Sequence, residues 1–145
     1  MGLLSFMREL AGGGGGTSDD KLMKQELEQV RAMAEAAERG EQPADGSPLG
    51  PKIRRRYRVS GSVQGVGFRW TATNLANSVG ATGWIRNEAD GSVTAEIQGI
   101  REQVDAVIDG LDRYYNGRRF MGGFRIEEAR DIVTAADEYD FKPVY

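Results

Sequence analysis

Between Ile53 and Tyr145 the hydrophobic period switches between two and about 3.6 in a fixed order, and that order restricts the fold more than any other feature of the chain. The stretch "KIRRRYRVSGSV" alternates, with Ile53, Arg55, Tyr57 and Val59 on one face and arginines largely on the other. That is the pattern of a half-buried strand, its arginine face turned to solvent. In "RWTATNLANSVG" the period lengthens: Trp70, Thr73, Ala76 and Val79, with Leu75 beside them, make a helical stripe that Gly80 ends. "ATGWIRN" reads as a second strand, "EADG" as a hairpin turn and "SVTAEIQG" as a third strand. "IREQVDAVIDGLDRYY" gives a second helix with Ile100, Val104, Val107, Ile108 and Leu111 inward. After the loop "NGRRFMGG", "FRIEEARDIVT" and "YDFKPVY" read as closing strands. The order β-α-β-β-α-β plus a last strand packs two helices on one face of a mainly antiparallel sheet. This is an α+β fold, the ferredoxin-like sandwich.

The residues before this unit are of a different kind. Five consecutive glycines, 12–16, are incompatible with regular structure. Ahead of them lies a short apolar patch of Leu3, Leu4, Phe6, Met7 and Leu10. Behind them, "TSDDKLMKQELEQVRAMAEAAERG" carries helix signals: Thr17 or Ser18 as cap, Asp19 and Asp20 at the positive end, Gly40 as terminator. Its apolar residues Met23, Leu27, Val30, Ala34 and Ala37 form a narrow seam, too short for a coiled coil. A partial, undocked helix is expected, followed by the linker "EQPADGSPLGP". Residues 1–51 are therefore read as a flexible, partly helical extension and 52–145 as the compact domain. A protein partner or self-association, if present, would use residues 1–40; the domain itself is expected to be a monomer.

Composition narrows the chemistry. The chain has no cysteine and no histidine, which removes disulfides, thiolate metal sites and the commonest general base. No cofactor or metal is expected. Residues 1–50 carry five Lys/Arg against nine Asp/Glu, net −4, and residues 51–145 fourteen against thirteen, net +1. A nucleic-acid-binding domain is usually clearly basic, and this one is near neutral. No apolar run reaches the roughly 18 residues of a membrane span. The opening "MGLLSFMREL" lacks the charged head and long apolar stretch of a secretory leader. The expected location is the cytoplasm.

Chemistry concentrates in "GSVQGVGFRW", which joins the first strand to the first helix. A helix start presents unpaired N–H groups and a positive dipole end, so anions collect there. Gly65 and Gly67 permit positive φ, and successive N–H groups can converge into a nest. Arg69 at the helix start repels the dipole unless an anion sits beside it, and its fork suits a tetrahedral oxyanion. Gln64 either fixes the loop or donates to the ligand. No third glycine at dinucleotide-fingerprint spacing and no Lys-Ser/Thr pair of a P-loop is present. On physics alone, an anion site and an ordinary glycine turn stand level.

The second stretch, "GWIRNEADGSV", tips that balance. Together with "GSVQGVGFR" it resembles the two signature stretches of the acylphosphatase family, in the right order and separation, within a similarity covering residues 52–145. The resemblance implies the sandwich fold already inferred and hydrolysis of the carboxyl-phosphate bond of an acyl phosphate. It further implies that Arg69 and the backbone of Gln64, Gly65, Val66, Gly67 and Phe68 bind phosphate, while Asn87 positions a water. A carboxylate is a good leaving group, so direct displacement without strong acid catalysis fits a chain lacking histidine. For the base, a phosphoryl oxygen of the substrate comes before Glu88. Trp70 and Trp84 are expected in the core. Two rival readings remain: a phosphate-binding regulatory module of the same family without turnover, and an RNA-binding module of the same topology.

Overall fold

The computed structural model describes residues 18–41, 50–65, 67–117 and 123–145. The apolar patch at 3–10, the glycine run, most of the linker, Val66 and residues 118–122 lie outside the described residues. The element order is α1 (Ser18–Glu38), β1 (Ile53–Gly61), α2 (Phe68–Val79), β2 (Thr82–Asn87), β3 (Val93–Gly99), α3 (Arg101–Leu111), a π-helical turn (Asp112–Asn116), β4 (Phe124–Ile132) and β5 (Phe141–Val144). The strands form one sheet in the order β4-β1-β3-β2-β5. β3 pairs antiparallel with both β1 and β2, β4 runs antiparallel to β1, and β5 lies parallel to β2. The ferredoxin-like order read from the hydrophobic periods is the order observed. Among the described residues no helix is long and apolar enough to cross a membrane.

One face of the sheet buries Tyr57, Val59, Ile85, Val93 and Ile97 against Ala72, Leu75, Ala76 and Val79 of α2 and Val104, Val107 and Leu111 of α3. The rotation of α2 differs from the expected stripe. Phe68 is 2% exposed, its ring 5.1 Å from Tyr115 and 5.3 Å from Phe124. With Phe68 pinned inward, Trp70 lies roughly 200° round the helix and faces out, 46% exposed. Trp84 is not in the core either. Ile85 takes the inward position, leaving Trp84 on the opposite face, with the Arg56 and Arg86 guanidiniums 5.8 and 5.1 Å from its ring centroid.

The arginine face of β1 is also less solvated than expected. Arg54 is 4% exposed because residues between β4 and β5 cross over it on their way from one sheet edge to the other. Its guanidinium donates to Glu96 (2.9 Å), Gln98 (3.3 Å) and Glu138 (2.7 Å). Gln98 exchanges two bonds with the Ala135 backbone, at 2.9 and 2.7 Å. Buried charge is tolerable here because each guanidinium faces a carboxylate and further acceptors.

The expectation of an undocked first helix is overturned. α1 lies across α2 and α3 as an outer layer, with Met23, Leu27 and Ala34 buried and Val30 packed on the core. The seam is narrow, but the surface receiving it has a matching gap. A Cβ on Gly110 would stand 2.8 Å from Leu75 and 3.3 Å from the Met23 methyl, so the absent side chain is what lets Met23 in. Arg31 donates to the Asn77 carbonyl (3.2 Å) and Arg113 to Glu26 (2.8 Å) at the margins. Leu27→Ala should therefore cost about 2–5 kcal/mol in urea unfolding, the range of a buried Leu truncation; an unchanged midpoint would mean the helix does not dock.

The β2–β3 turn is closed by Asp90, whose carboxylate accepts from the Ser92 N–H (2.9 Å) and hydroxyl and from Arg58 (2.6 Å). The Ser92 bonds, with Arg58 adding to them, hold the carboxyl down at about 2, below its ordinary 3.8. A depressed value means the stabilisation is full above the ordinary value and is lost as pH falls through the folded one. Between pH 4 and 2, Asp90→Asn should lose stability less steeply than the unmodified protein in parallel urea titrations. Identical slopes would remove Asp90 from the acid response.

Candidate active site

The topology brings three chain segments to one end of the sheet. β1 and β2 run the same way on either side of β3, so Gly61 and Asn87 finish at the same edge. β5, parallel to β2, delivers Val144 and Tyr145 there too. A cleft of about 370 Å³ opens at this edge, lined by the loop glycines, Arg69, Asn87 and the end of β5 among others.

The loop is built as its glycines suggested. Gly65 and Gly67 have φ of 78° and 76°, left-handed values that cost a side-chain-bearing residue roughly 1–2 kcal/mol. Gly67 occupies the N-cap position of α2; it offers no side-chain cap, and no acidic residue stands in the first turn. The first-turn N–H groups and the positive dipole end therefore face the cleft uncompensated. Thr71 holds Gly67 from behind: its N–H and hydroxyl both donate to the Gly67 carbonyl, at 2.9 and 3.0 Å. The hydroxyl also lies 2.9 Å from the Tyr115 phenol, whose pKa burial pushes up to about 12, so it stays a neutral partner.

The side chain of Gln64 braces the loop. Its amide nitrogen donates to the Glu88 carbonyl (2.9 Å) and the Ser92 carbonyl (3.0 Å), which ties the loop to the turn following Asn87. Arg69 reaches the other way. Its Nη1 lies 3.5 Å from the Val144 carbonyl and its guanidinium 4.7 Å from the Tyr145 ring centroid. Among the described residues no carboxylate is within ion-pairing distance of it, unlike the arginines of β1.

Asn87 shares the helix-facing side of β2 with Ile85, following strand alternation. Its Oδ1 is buried and has no hydrogen-bond partner among the described residues. An unsatisfied buried acceptor is costly, and here it borders a cleft that also contains Arg69 and the loop glycines. Glu88 falls on the opposite side of the strand. Arg86 (3.0 Å) and Thr94 hold its carboxyl below the usual range, and its engagement there leaves it poorly suited as a base for the cleft. Among the described residues no group of three or more carboxylates is placed to hold a metal ion.

Gln64, Gly65, Gly67, Phe68, Arg69 and Asn87 thus gather at one end of the sheet, and Val66 lies outside the described residues. Trp70, Thr73, Pro143 and Tyr145 also line the cleft, and the sequence reading places none of them in the site. Trp70 lies on the cleft side of its helix and not on the buried stripe the hydrophobic period predicts. Pro143 and Tyr145 are about 75 residues from the loop, and only the parallel β2–β5 pairing, which no local pattern announces, brings them there.

The family model for acylphosphatase matches residues 55–131. An acylphosphatase of Rhizobium etli is 53% identical over 67 residues, which is 46% of this chain and 71% of that protein. One from Methanothrix thermoacetophila is 39% identical over 90 residues, 62% of this chain and 94% of that protein. The crystal structure of an acylphosphatase from Bacillus subtilis superposes with a TM-score of 0.52 at 23% identity, covering 64% of this chain and 99% of that one. That last likeness speaks for the fold, whereas the family-model match over residues 55–131 runs through both signature stretches. On these grounds the chain belongs to the acylphosphatase family.

Proposed function

We propose that this protein hydrolyses acyl phosphates by direct attack of water on phosphorus, using Arg69, the backbone of Gln64, Gly65, Val66, Gly67 and Phe68, and Asn87. The observation that carries this assignment is the buried, unpartnered Oδ1 of Asn87 bordering the same cleft as the first turn of α2 and Arg69. The loop N–H groups and the guanidinium neutralise the phosphoryl oxygens. Asn87 Oδ1 accepts a hydrogen bond from a water and aims its oxygen at phosphorus.

As the new P–O bond forms, the bond from phosphorus to the carboxyl oxygen breaks and its electron pair leaves on the carboxylate. The water's proton passes to a phosphoryl oxygen, so the products are a carboxylate and inorganic phosphate. No protein base is required, in keeping with the position of Glu88. Donors already aimed at developing charge need no reorganisation during the step, which is where most of the acceleration arises. Every group invoked belongs to one chain, which supports a monomeric unit of action, and we place that unit in the cytoplasm. Residues 52–145 are proposed as the catalytic domain, with α1 as its outer layer.

Arg69→Ala and Asn87→Ala should each lower kcat for benzoyl phosphate hydrolysis by about 10²–10³, with far-ultraviolet dichroism and melting temperature unchanged. Arg69→Lys should recover little, since an ammonium lacks the planar fork. Near-normal turnover by either folded alanine variant would refute the assignment. If the unmodified chain binds phosphate without turning over benzoyl or acetyl phosphate, the regulatory reading replaces the catalytic one.

A further inference from the structure

The proposed reaction accounts for one end of the cleft and leaves the remaining wall without a role. At about 370 Å³ the cleft falls within the range that encloses whole small molecules, so the part of the substrate beyond the phosphoryl group also lies against it. That wall includes Trp70, Pro143 and Tyr145. Trp70 is 46% and Tyr145 93% exposed, so two large aromatic side chains present surface to solvent around one opening. Thr73, the other hydroxyl-bearing residue of the wall, donates to the Arg69 carbonyl (2.7 Å). Arg69 is the one charged side chain lining the cleft among the described residues, and the phosphoryl group claims it.

We propose that this wall is an acyl-binding subsite for flat, uncharged acyl groups, aromatic ones above all, and that Trp70 sets the preference. The inference rests on the hydrolytic reading above. Trp70 follows Arg69 directly in the first turn of α2, a regular element, so the indole is held at a fixed offset from the phosphoryl group. An aromatic acyl group meeting the indole and the Tyr145 ring gains offset or edge-on ring contacts beyond simple area burial. A second carboxylate or an ammonium on the acyl group would instead be desolvated against apolar surface with no partner. A small acyl group such as acetyl would leave the wall largely uncovered.

The test compares benzoyl phosphate with acetyl phosphate as substrates of the full chain, and phenylphosphonate with inorganic phosphate as competitive inhibitors. The unmodified protein should favour benzoyl phosphate in kcat/KM. Trp70→Ala should lower the benzoyl-to-acetyl ratio about tenfold, mainly through KM, and weaken phenylphosphonate relative to inorganic phosphate by a similar factor. Trp70→Phe should restore most of both ratios, and Trp70→Leu, which keeps apolar bulk without a ring, should restore less. Unchanged ratios in folded Trp70→Ala or Trp70→Leu overturn the subsite while leaving the hydrolytic reading intact. Failure of the unmodified protein to turn over either substrate overturns that reading and the subsite with it.

Discussion

Strand β3 lies between two strands that run the same way, and the cleft owes its existence to that arrangement. Because β1 and β2 each bond antiparallel to β3, their carboxyl ends meet at one edge of the sheet, and so do the loop after Gly61 and the amide of Asn87. The strand providing this register is buried along its whole length. On its inner side Val93, Ala95 and Ile97 pack on the helices. On its outer side Glu96 accepts from both Arg54 and Arg56. A one-residue slip would exchange these two sets, placing a carboxylate in the apolar core and isoleucine among guanidiniums. Register is therefore strongly specified, and the distance between loop and amide is specified with it.

Electrostatics at the start of α2 runs against the usual practice for a helix. No capping side chain and no acidic residue offsets the positive end, and an arginine adds to it. The arginines of β1 and β2 are matched: Arg54, Arg55, Arg56, Arg58 and Arg86 all face carboxylates. The contrast marks the start of α2 as a place where the fold keeps unbalanced positive potential. Gln64 and Thr71 hold that place rigid from two sides, one through the β2–β3 turn and the other through the Gly67 carbonyl.

Much of this was legible in the sequence, for reasons that differ from part to part. Strand and helix periods gave the element order because each element has one buried face. The loop glycines were readable because left-handed φ values are nearly a glycine property. The rotation of α2 was not, since "FRWTATNLANSV" offers apolar residues on more than one side. The choice was made by Phe68 packing on Tyr115 and Phe124, which come from distant segments. The docking of α1 was hidden for a similar reason. Its seam looks too thin alone, and only the gap at Gly110 beside Leu75 makes it sufficient. Arg54 could not be read as buried because the segment covering it arrives from residues 133–140, more than 80 positions later in the Glu138 contact.

Sequence separation within the cleft has a kinetic side. Arg69 and Val144 meet across 75 residues, and Gln64 reaches Ser92 across 28. Contacts so far apart along the chain form only after most loop-closure entropy has been lost, and they slow folding more than they affect stability. The sheet interior and the helix packing can assemble while the opening at its edge is still incomplete. Recovery of binding during refolding should then lag the recovery of secondary structure, because the cleft is complete only once β5 has paired alongside β2.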